Sequence, residues 1–414
     1  MMPDLIGLTS ILLIFLLTVI VSIRWPSISQ ILLCAFFLRI LFIFIGHFIT
    51  PLPDSTADAS SFESLAWFYA KDGFVNVFNF YRGPDSSFIS WIIAIFYSLF
   101  GRSLLLAQSI SLFFGMGVVL LGWLLVKKTW DDHSARKVGW ILALFPSLIL
   151  YSVLILREVY VIFFLLIAIW GIVDWAKTDN YRPLLVATIG FIGATFFHGG
   201  MIIGGICFFI IVGIRVFIRT FKSLMSFYIH TKSFVIFIFI IISLSYYASG
   251  NIAFPKLGTF QEATNLERIV DYAKATTRSS KDKDDGASYP KWTKINSSIE
   301  LIYKGPIRVI FFIFSPFPWQ VKKVSHLVGV IDSFFYMALV FLAFQNRKVI
   351  WQDPALRIIL IIFATYLFIF GMMVGNFGTS IRHRLKFVML LILLVAPCIP
   401  KISFKNNNKK KLIK

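Results

Sequence analysis

Long runs of apolar residues, separated by short connectors rich in Lys and Arg, recur along this sequence. A helix needs about 20 apolar residues to cross a bilayer. Hydrophobic residues make up 58% of the chain and charged residues only 14%, whereas soluble domains carry about 25% charged residues. We therefore expect one all-α, polytopic transmembrane domain over residues 1–414. The roughly 11 predicted spans lie at 5–23, 29–50, 104–126, 139–155, 158–175, 183–198, 199–214, 233–248, 327–344, 356–375 and 385–400.

The net charge of +20 would suggest a nucleic-acid partner in a soluble protein. Here the basic residues fall in the connectors between apolar runs and in the tail 401–414, as the positive-inside rule predicts for cytoplasmic segments. No nucleic-acid partner is expected. The rule places the N-terminus outside and the C-terminus in the cytoplasm.

Five segments fall on the opposite, external side in this topology. Residues 51–103 form a first external loop with interfacial helices, one of them at 86–100. Residues 249–326 form a second external loop, partly flexible around 276–288, which could alternatively act as a mobile lid. The stretch 306–318 is expected to be re-entrant because Pro316 and Pro318 interrupt it. The other external segments are the short turns at 156–158, 198–200 and 376–384.

Asp54 and Asp58 follow an apolar run in the first external loop. Either carboxylate could act as a general base on a hydroxyl group. The alternative is a solvated loop in which Asp58 caps a helix. Three further acids in the same loop are interpreted as ordinary surface residues: Glu63, Asp72 and Asp85.

Two external turns add ionisable groups at the membrane boundary, where such residues are costly and usually functional. Arg157 and Glu158 interrupt an apolar stretch. Glu158 could face the site as a further acid and Arg157 could bind phosphate, or the two could simply form a salt bridge. Together Asp54, Asp58 and Glu158 could hold Mg²⁺ or Mn²⁺, since hard cations prefer oxygen ligands. His198 could bind metal or, when protonated, phosphate.

A basic motif near the C-terminus lies outside, against the positive-inside trend. It contains Arg382, His383 and Arg384. An arginine can form hydrogen bonds to phosphate oxygens with two nitrogens at once, so we predict that these three residues bind phosphate. The alternative is a basic turn that anchors the protein to lipid headgroups.

Several of these motifs together resemble the GT-C class of polytopic glycosyltransferases. The resemblance covers about residues 29–215 and depends on Asp54 and Asp58, the turn 100–103 and the run 144–158. The motif 378–384 resembles membrane proteins of bacterial surface-polysaccharide clusters, including O-antigen polymerases. In one departure from the class, an extra span precedes the helix that leads into the Asp loop.

The resemblance implies a catalytic acid at Asp54 or Asp58, an acidic residue at Glu158, and an inverting reaction. It also implies a donor sugar carried on polyprenyl phosphate or diphosphate. We therefore expect a glycosyltransferase of surface-polysaccharide (O-antigen or capsule) assembly or polymerisation in the bacterial cytoplasmic membrane. Its site would face the exterior, and other polysaccharide-assembly membrane proteins are expected partners. The alternatives are a flippase or transporter for lipid-linked oligosaccharide, and a non-catalytic scaffold.

Overall fold

The computed structural model describes residues 2–56, 58–226, 231–250, 253, 258–278, 288–321 and 325–400. Within these ranges the chain is helical and contains no β-strand, only an isolated bridge between Ser288 and Asn376. The prediction of an all-α protein is therefore confirmed for this part of the chain.

The helices follow one another with short connections. The first five helices are α1 (Met2–Arg24), α2 (Ser29–Phe44), α3 (Asp58–Ala70), α4 (Phe74–Val77) and α5 (Phe88–Phe100). The central helices are α6 (Leu104–Thr129), α7 (Asp132–Leu144), α8 (Pro146–Tyr151), α9 (Glu158–Thr178), α10 (Arg182–Phe197), α11 (Ile202–Met225) and α12 (Thr231–Ala248). The last are α13 (Phe260–Thr264), α14 (Leu266–Arg278), α15 (Ser298–Phe314), α16 (Ser325–Gln345), α17 (Arg347–Gln352), α18 (Pro354–Met373) and α19 (Phe377–Val395).

Several helices have the length and composition of membrane spans. In the described ranges six qualify: Asp4–Arg24, Pro26–Ile49, Leu104–Thr129, Glu158–Thr178, Gly199–Met225 and Pro354–Met373. Shorter apolar helices occupy Phe88–Phe100, Arg182–Phe197 and Gly329–Gln345. The chain is thus a helical membrane protein, while the larger number of crossings stays a prediction.

One predicted span, 139–155, is wrong as a continuous helix. Helix α7 ends at Leu144, Phe145 is extended with ψ 114°, and Pro146 begins the short helix α8. Proline lacks the N–H that would continue the α7 hydrogen-bond ladder, but it fits the first turn of a new helix. The break leaves carbonyl groups at the end of α7 without helical partners.

The buried Arg39 of α2 donates hydrogen bonds to the unpaired carbonyl groups at this break. Its guanidinium donates to the carbonyl oxygens of Leu142 at 3.3 Å and Ala143 at 3.5 Å, and also to that of Ala35 at 3.0 Å. A cation at a helix C-terminus also interacts favourably with the helix dipole. Arg39 therefore has a structural role that explains a charged residue inside an apolar helix.

We expect the Arg39→Met variant to be less stable than the wild type by on the order of 2–3 kcal/mol, because several buried carbonyls lose a charged donor. Thermal unfolding of the purified protein in detergent measures this change. Arg24→Met, at the exposed end of α1, is the matched control and should leave the unfolding temperature unchanged. Equal stability of the two variants would contradict the assigned role.

Two more buried arginines donate hydrogen bonds to carbonyl groups at helix ends. Arg308 donates to the carbonyl oxygen of Val374, just beyond α18, at 2.7 Å. Arg384 donates to the carbonyls of Ile313 at 2.8 Å and Ser315 at 2.6 Å, at the end of α15. These contacts tie α15, α18 and α19 together and orient the start of α19.

The basic connectors gather at one end of the helices. Lys177 donates to the carbonyl of Lys128 at 2.7 Å, which joins the ends of α9 and α6. Lys137 of α7 donates to the carbonyl of Pro397 at 3.0 Å, after the end of α19. Arg215 pairs with Asp179 at 3.0 Å. We call this end of the protein the basic end; α9 and α19 begin at the other end.

Other predictions about the loops have mixed outcomes. The predicted helix at 86–100 forms as α5 (Phe88–Phe100). The stretch 306–318 is mostly helical, since α15 continues through Pro306 and ends at Phe314. Part of the predicted second external loop lies outside the described residues, including most of the stretch 276–288; the residues concerned are 251–252, 254–257, 279–287 and 322–324.

Glu63 is not the surface residue that the sequence analysis expected. It is 8% exposed. Arg102 donates to its two carboxylate oxygens at 2.9 and 2.7 Å, and Tyr97 donates to it at 3.1 Å. The hydrogen bond from Arg102 to Glu63 raises the pKa of Arg102 above its usual value. This network fixes α3 against α5 and thereby positions the start of α3.

Candidate functional site

Charged residues from four parts of the chain meet at the end of the protein opposite the basic end. They come from the loop before α3 and its first residue, the end of α8, the start of α9, and the first turns of α19. We call this group the acid–arginine cluster: Asp54, Asp58, Tyr151, Arg157, Glu158, Arg382 and Lys386.

Arg382 joins two acids that are far apart in the sequence. Its Nη1 lies 2.6 Å from Asp58 Oδ2, and its Nε lies 3.4 Å from Glu158 Oε1. The Asp58 side chain is 53% exposed, whereas the Glu158 side chain is 2% exposed. The guanidinium thus lies between solvent and the interior, with one carboxylate on each side.

Lys386 also lies next to the Glu158 carboxylate. The Lys386 Nζ atom lies 3.8 Å from Glu158 Oε1 and 3.0 Å from His383 Nδ1. Arg382 and Lys386 are four residues apart and therefore project from the same face of α19. The other Glu158 oxygen, Oε2, is buried without a hydrogen-bond partner among the described residues. The buried acid is thus neutralised by two cations from one helix face.

Asp54 occupies an unusual backbone conformation. Its φ of 62° lies in the left-handed region, which is uncommon for a residue other than glycine. The hydroxyl of the buried Tyr151 donates to Asp54 Oδ2 at 2.6 Å. This hydrogen bond holds the Asp54 carboxylate over the end of α8. Backbone outliers of this kind cluster at functional sites.

Arg157 is a half-buried member of the cluster. Its guanidinium lies over the Phe62 ring at 5.3 Å from the ring centroid, and its Nε is buried with no hydrogen-bond acceptor among the described residues. Burial lowers the pKa of Arg157, although the adjacent Glu158 carboxylate opposes the shift. The Nε donor is thus unused by the described residues, and the partly exposed guanidinium group could bind an anion.

The two predicted histidines lie next to each other at the rear of the cluster. The rings of His198 and His383 have centroids 5.1 Å apart, and Phe370 packs at 5.5 Å from His198. His198 is 3% exposed. The structure therefore brings both histidines to the predicted place, behind the acids rather than beside the solvent-facing Asp58.

Arg384 is the predicted site residue that the structure does not bring to the cluster. Besides the carbonyls at the end of α15, its guanidinium donates to the Gly329 carbonyl at 3.1 Å and to Ser333 Oγ at 3.2 Å. Residues two apart on a helix point to nearly opposite sides. Arg384 therefore faces α15 and α16, away from the acid–arginine cluster.

Metal binding by Asp54, Asp58 and Glu158 stays a prediction. The described residues contain no group of three His, Cys, Asp or Glu side chains that could hold a metal ion. Asp54 binds a tyrosine hydroxyl, while Asp58 and Glu158 bind a guanidinium. Each of the three carboxylates thus has a protein partner in the structure.

Two members of the cluster were missed in the sequence. Tyr151 lies in an apolar run in which only its hydroxyl is polar, so nothing distinguished it from a core residue. Lys386 follows Arg382 by four residues, and helical spacing could have predicted that both face the same acid. Both residues act on the predicted acids rather than forming a separate site.

The cluster offers a defined set of chemical groups at one end of an apolar helical protein. Arg157 and Arg382 are cations that anionic ligands could reach, and Asp54 and Asp58 are exposed carboxylates that could accept a proton. Glu158 and Lys386 are the buried ion pair beneath these groups. Comparison of the chain with models of protein families, with curated proteins and with solved structures found no match.

Proposed function

We propose that this protein is a membrane glycosyltransferase that uses sugars linked to polyprenyl phosphate or diphosphate. It would act on the outer face of the bacterial cytoplasmic membrane, in the assembly or polymerisation of a surface polysaccharide such as O-antigen or capsule. The observation that carries the proposal is the position of Arg382, shared by the exposed Asp58 and the buried Glu158.

The reaction needs two kinds of group that the cluster contains. A phosphate leaving group requires nearby cations, which Arg157 and Arg382 supply at the edge of an apolar protein. An acceptor hydroxyl requires a base, which Asp54 or Asp58 supplies. Electrostatic stabilisation of the leaving group is usually the largest contribution in such sites.

The proposed step moves one proton and exchanges one glycosidic bond. The acceptor hydroxyl gives its proton to the carboxylate of Asp54 or Asp58, and its oxygen forms a bond to the anomeric carbon of the donor. The bond from that carbon to the phosphate oxygen breaks. The electron pair stays on the phosphate, whose charge Arg157 and Arg382 stabilise.

The proposed orientation follows from the charge at the two ends. The basic end would lie in the cytoplasm, because Lys and Arg are retained on that side of the membrane. The acid–arginine cluster would then face the exterior, where the polyprenyl chain could lie along the apolar helix surfaces. A multi-pass protein with about 11 crossings fits this arrangement.

A flippase for lipid-linked oligosaccharide is the second candidate. The buried pair of Glu158 and Lys386 favours it, since paired ionisable residues inside a membrane protein often lie on transport pathways. A flippase would move the lipid-linked sugar between leaflets without making a glycosidic bond.

One experiment separates the two functions. The purified protein is placed in liposomes with lipid-linked oligosaccharide, and both elongation of the glycan and its transfer between leaflets are measured. We expect longer glycans, detected by gel or mass spectrometry, without a requirement for transfer between leaflets. Movement of the lipid with no new glycosidic bond would instead establish the flippase.

A further inference from the structure

Asp58 and Glu158 both pair with Arg382, but breaking the two ion pairs has different free-energy costs. Asp58 is 53% exposed, and an exposed ion pair usually contributes only about 0–1 kcal/mol to stability. Glu158 is 2% exposed, so its departure would leave a buried charge without its partner. An incoming anion would therefore replace Asp58 and leave Glu158 in place.

The charge of the cluster leads to the same conclusion. Its carboxylates are those of Asp54, Asp58 and Glu158, and its cations are those of Arg157, Arg382 and Lys386. The numbers of positive and negative groups are therefore equal before any ligand binds. A phosphate group gains a full cation only if one of the carboxylates moves away.

Arg157 supplies the second cation for such a phosphate. It is close enough to Arg382 for the two charges to act on each other, and its Nε has no acceptor among the described residues. Phosphate oxygens form short, strong hydrogen bonds with arginine, stronger than those between neutral groups. A phosphate between Arg157 and Arg382 would thus lie between two cations and accept hydrogen bonds from both guanidinium groups.

We propose that Asp58 is an exchangeable counter-ion of Arg382, which the phosphate ester of the donor displaces when it binds. This inference depends on the proposed function and adds a regulatory feature to the same site. Asp58 is bound to Arg382 while the site is empty, and it is released when the donor is in place.

Release changes the chemistry of Asp58. Its Oδ2 atom no longer accepts the hydrogen bond of Arg382 and can accept one from a hydroxyl group. The freed Asp58 takes the proton of the acceptor hydroxyl while that oxygen bonds to the anomeric carbon. The bond between this carbon and the phosphate oxygen breaks, and its electron pair stays on the phosphate held by Arg157 and Arg382. The base is thus available only when a donor is present.

The test compares phosphate binding by the wild type and by Asp58→Asn. Both proteins are purified in detergent, and the Kd for farnesyl phosphate is measured, with inorganic phosphate in a parallel titration. We expect Asp58→Asn to bind farnesyl phosphate about three- to tenfold more tightly, since tenfold corresponds to about 1.4 kcal/mol. The same variant should lose glycan elongation. Preference for farnesyl phosphate over inorganic phosphate identifies a lipid-linked ligand.

Control variants make the result specific. Asp72→Asn changes an exposed acid of the same loop and should keep the wild-type Kd. Arg157→Gln should weaken binding in both the wild type and Asp58→Asn. Asp58→Ser provides a second substitution should Asp58→Asn elute as an aggregate. Unchanged or weaker binding in the folded Asp58 variants would overturn the exchange. Absence of farnesyl phosphate binding in the wild type would overturn the proposed function as well.

Discussion

The Arg382→Ala variant is expected to lose glycan elongation by about 100- to 1,000-fold. Arg382 is the cation that the donor phosphate would meet, and it also neutralises the buried Glu158. Its removal should therefore lower the free energy of unfolding as well, by on the order of 3 kcal/mol. Activity per folded molecule and the thermal unfolding temperature are measured on the same preparation.

Arg382→Lys separates these two effects. A lysine keeps a positive charge near Glu158 but cannot bridge Asp58 and Glu158 with two nitrogens. This variant should keep most of the stability and still lose most of the activity. Arg136→Ala, at the basic end with a 54% exposed side chain, is the matched control and should change neither quantity. Full activity of Arg382→Lys would show that elongation does not need a side chain that contacts both Asp58 and Glu158.

The second large effect is expected at Glu158. In the Glu158→Gln variant, Lys386 keeps its charge in a buried place but loses the carboxylate 3.8 Å away. Breaking a buried ion pair by removing one partner costs about 3–5 kcal/mol. We therefore expect a large drop in the unfolding temperature and in the yield of folded protein.

Removing the other partner should reverse part of this loss. The double variant Glu158→Gln with Lys386→Met no longer buries an uncompensated lysine, and it should be more stable than Glu158→Gln alone. Neighbouring residues in one ion-pair network typically show interaction energies of about 0.5–3 kcal/mol. Additive effects of the two substitutions would mean that Glu158 and Lys386 do not interact. Trp351→Phe, on the exposed surface of α17, controls for general effects of substitution.

The convergence of distant residues on one end could be predicted from the sequence. Alternation of apolar runs and basic connectors placed Asp58, Glu158, His198 and Arg382 on one side of the membrane. Their actual proximity in the structure agrees with that placement. The all-helical class followed from the same apolar runs.

The failures have a different physical origin, because they depend on which way a side chain points. Arg382 and Arg384 belong to one short basic motif, yet helical geometry sends them to different sides of α19. Glu63 looked like one more acid in a polar loop, but the fold places Arg102 beside it. The partner of Glu63 could not be read from composition or spacing, whereas the opposite directions of Arg382 and Arg384 follow once residues 377–395 are known to be helical.

The break between α7 and α8 could not be predicted from the apolar pattern either. The mean hydropathy of the apolar run is hardly changed by Pro146, but this proline ends one helix and begins the next. The compensating donor, Arg39, lies about a hundred residues earlier in the chain, so its role becomes visible only in the fold.

The most direct test of the proposed site is elongation of lipid-linked oligosaccharide by purified Asp54→Asn, Asp58→Asn and Asp72→Asn proteins. Both cluster variants should insert into the membrane normally and yield no elongated glycan, while Asp72→Asn should match the wild type. Removal of a catalytic base typically costs about 100- to 10,000-fold in rate. Full-length product from both Asp54→Asn and Asp58→Asn would contradict the assignment of the reaction to the acid–arginine cluster.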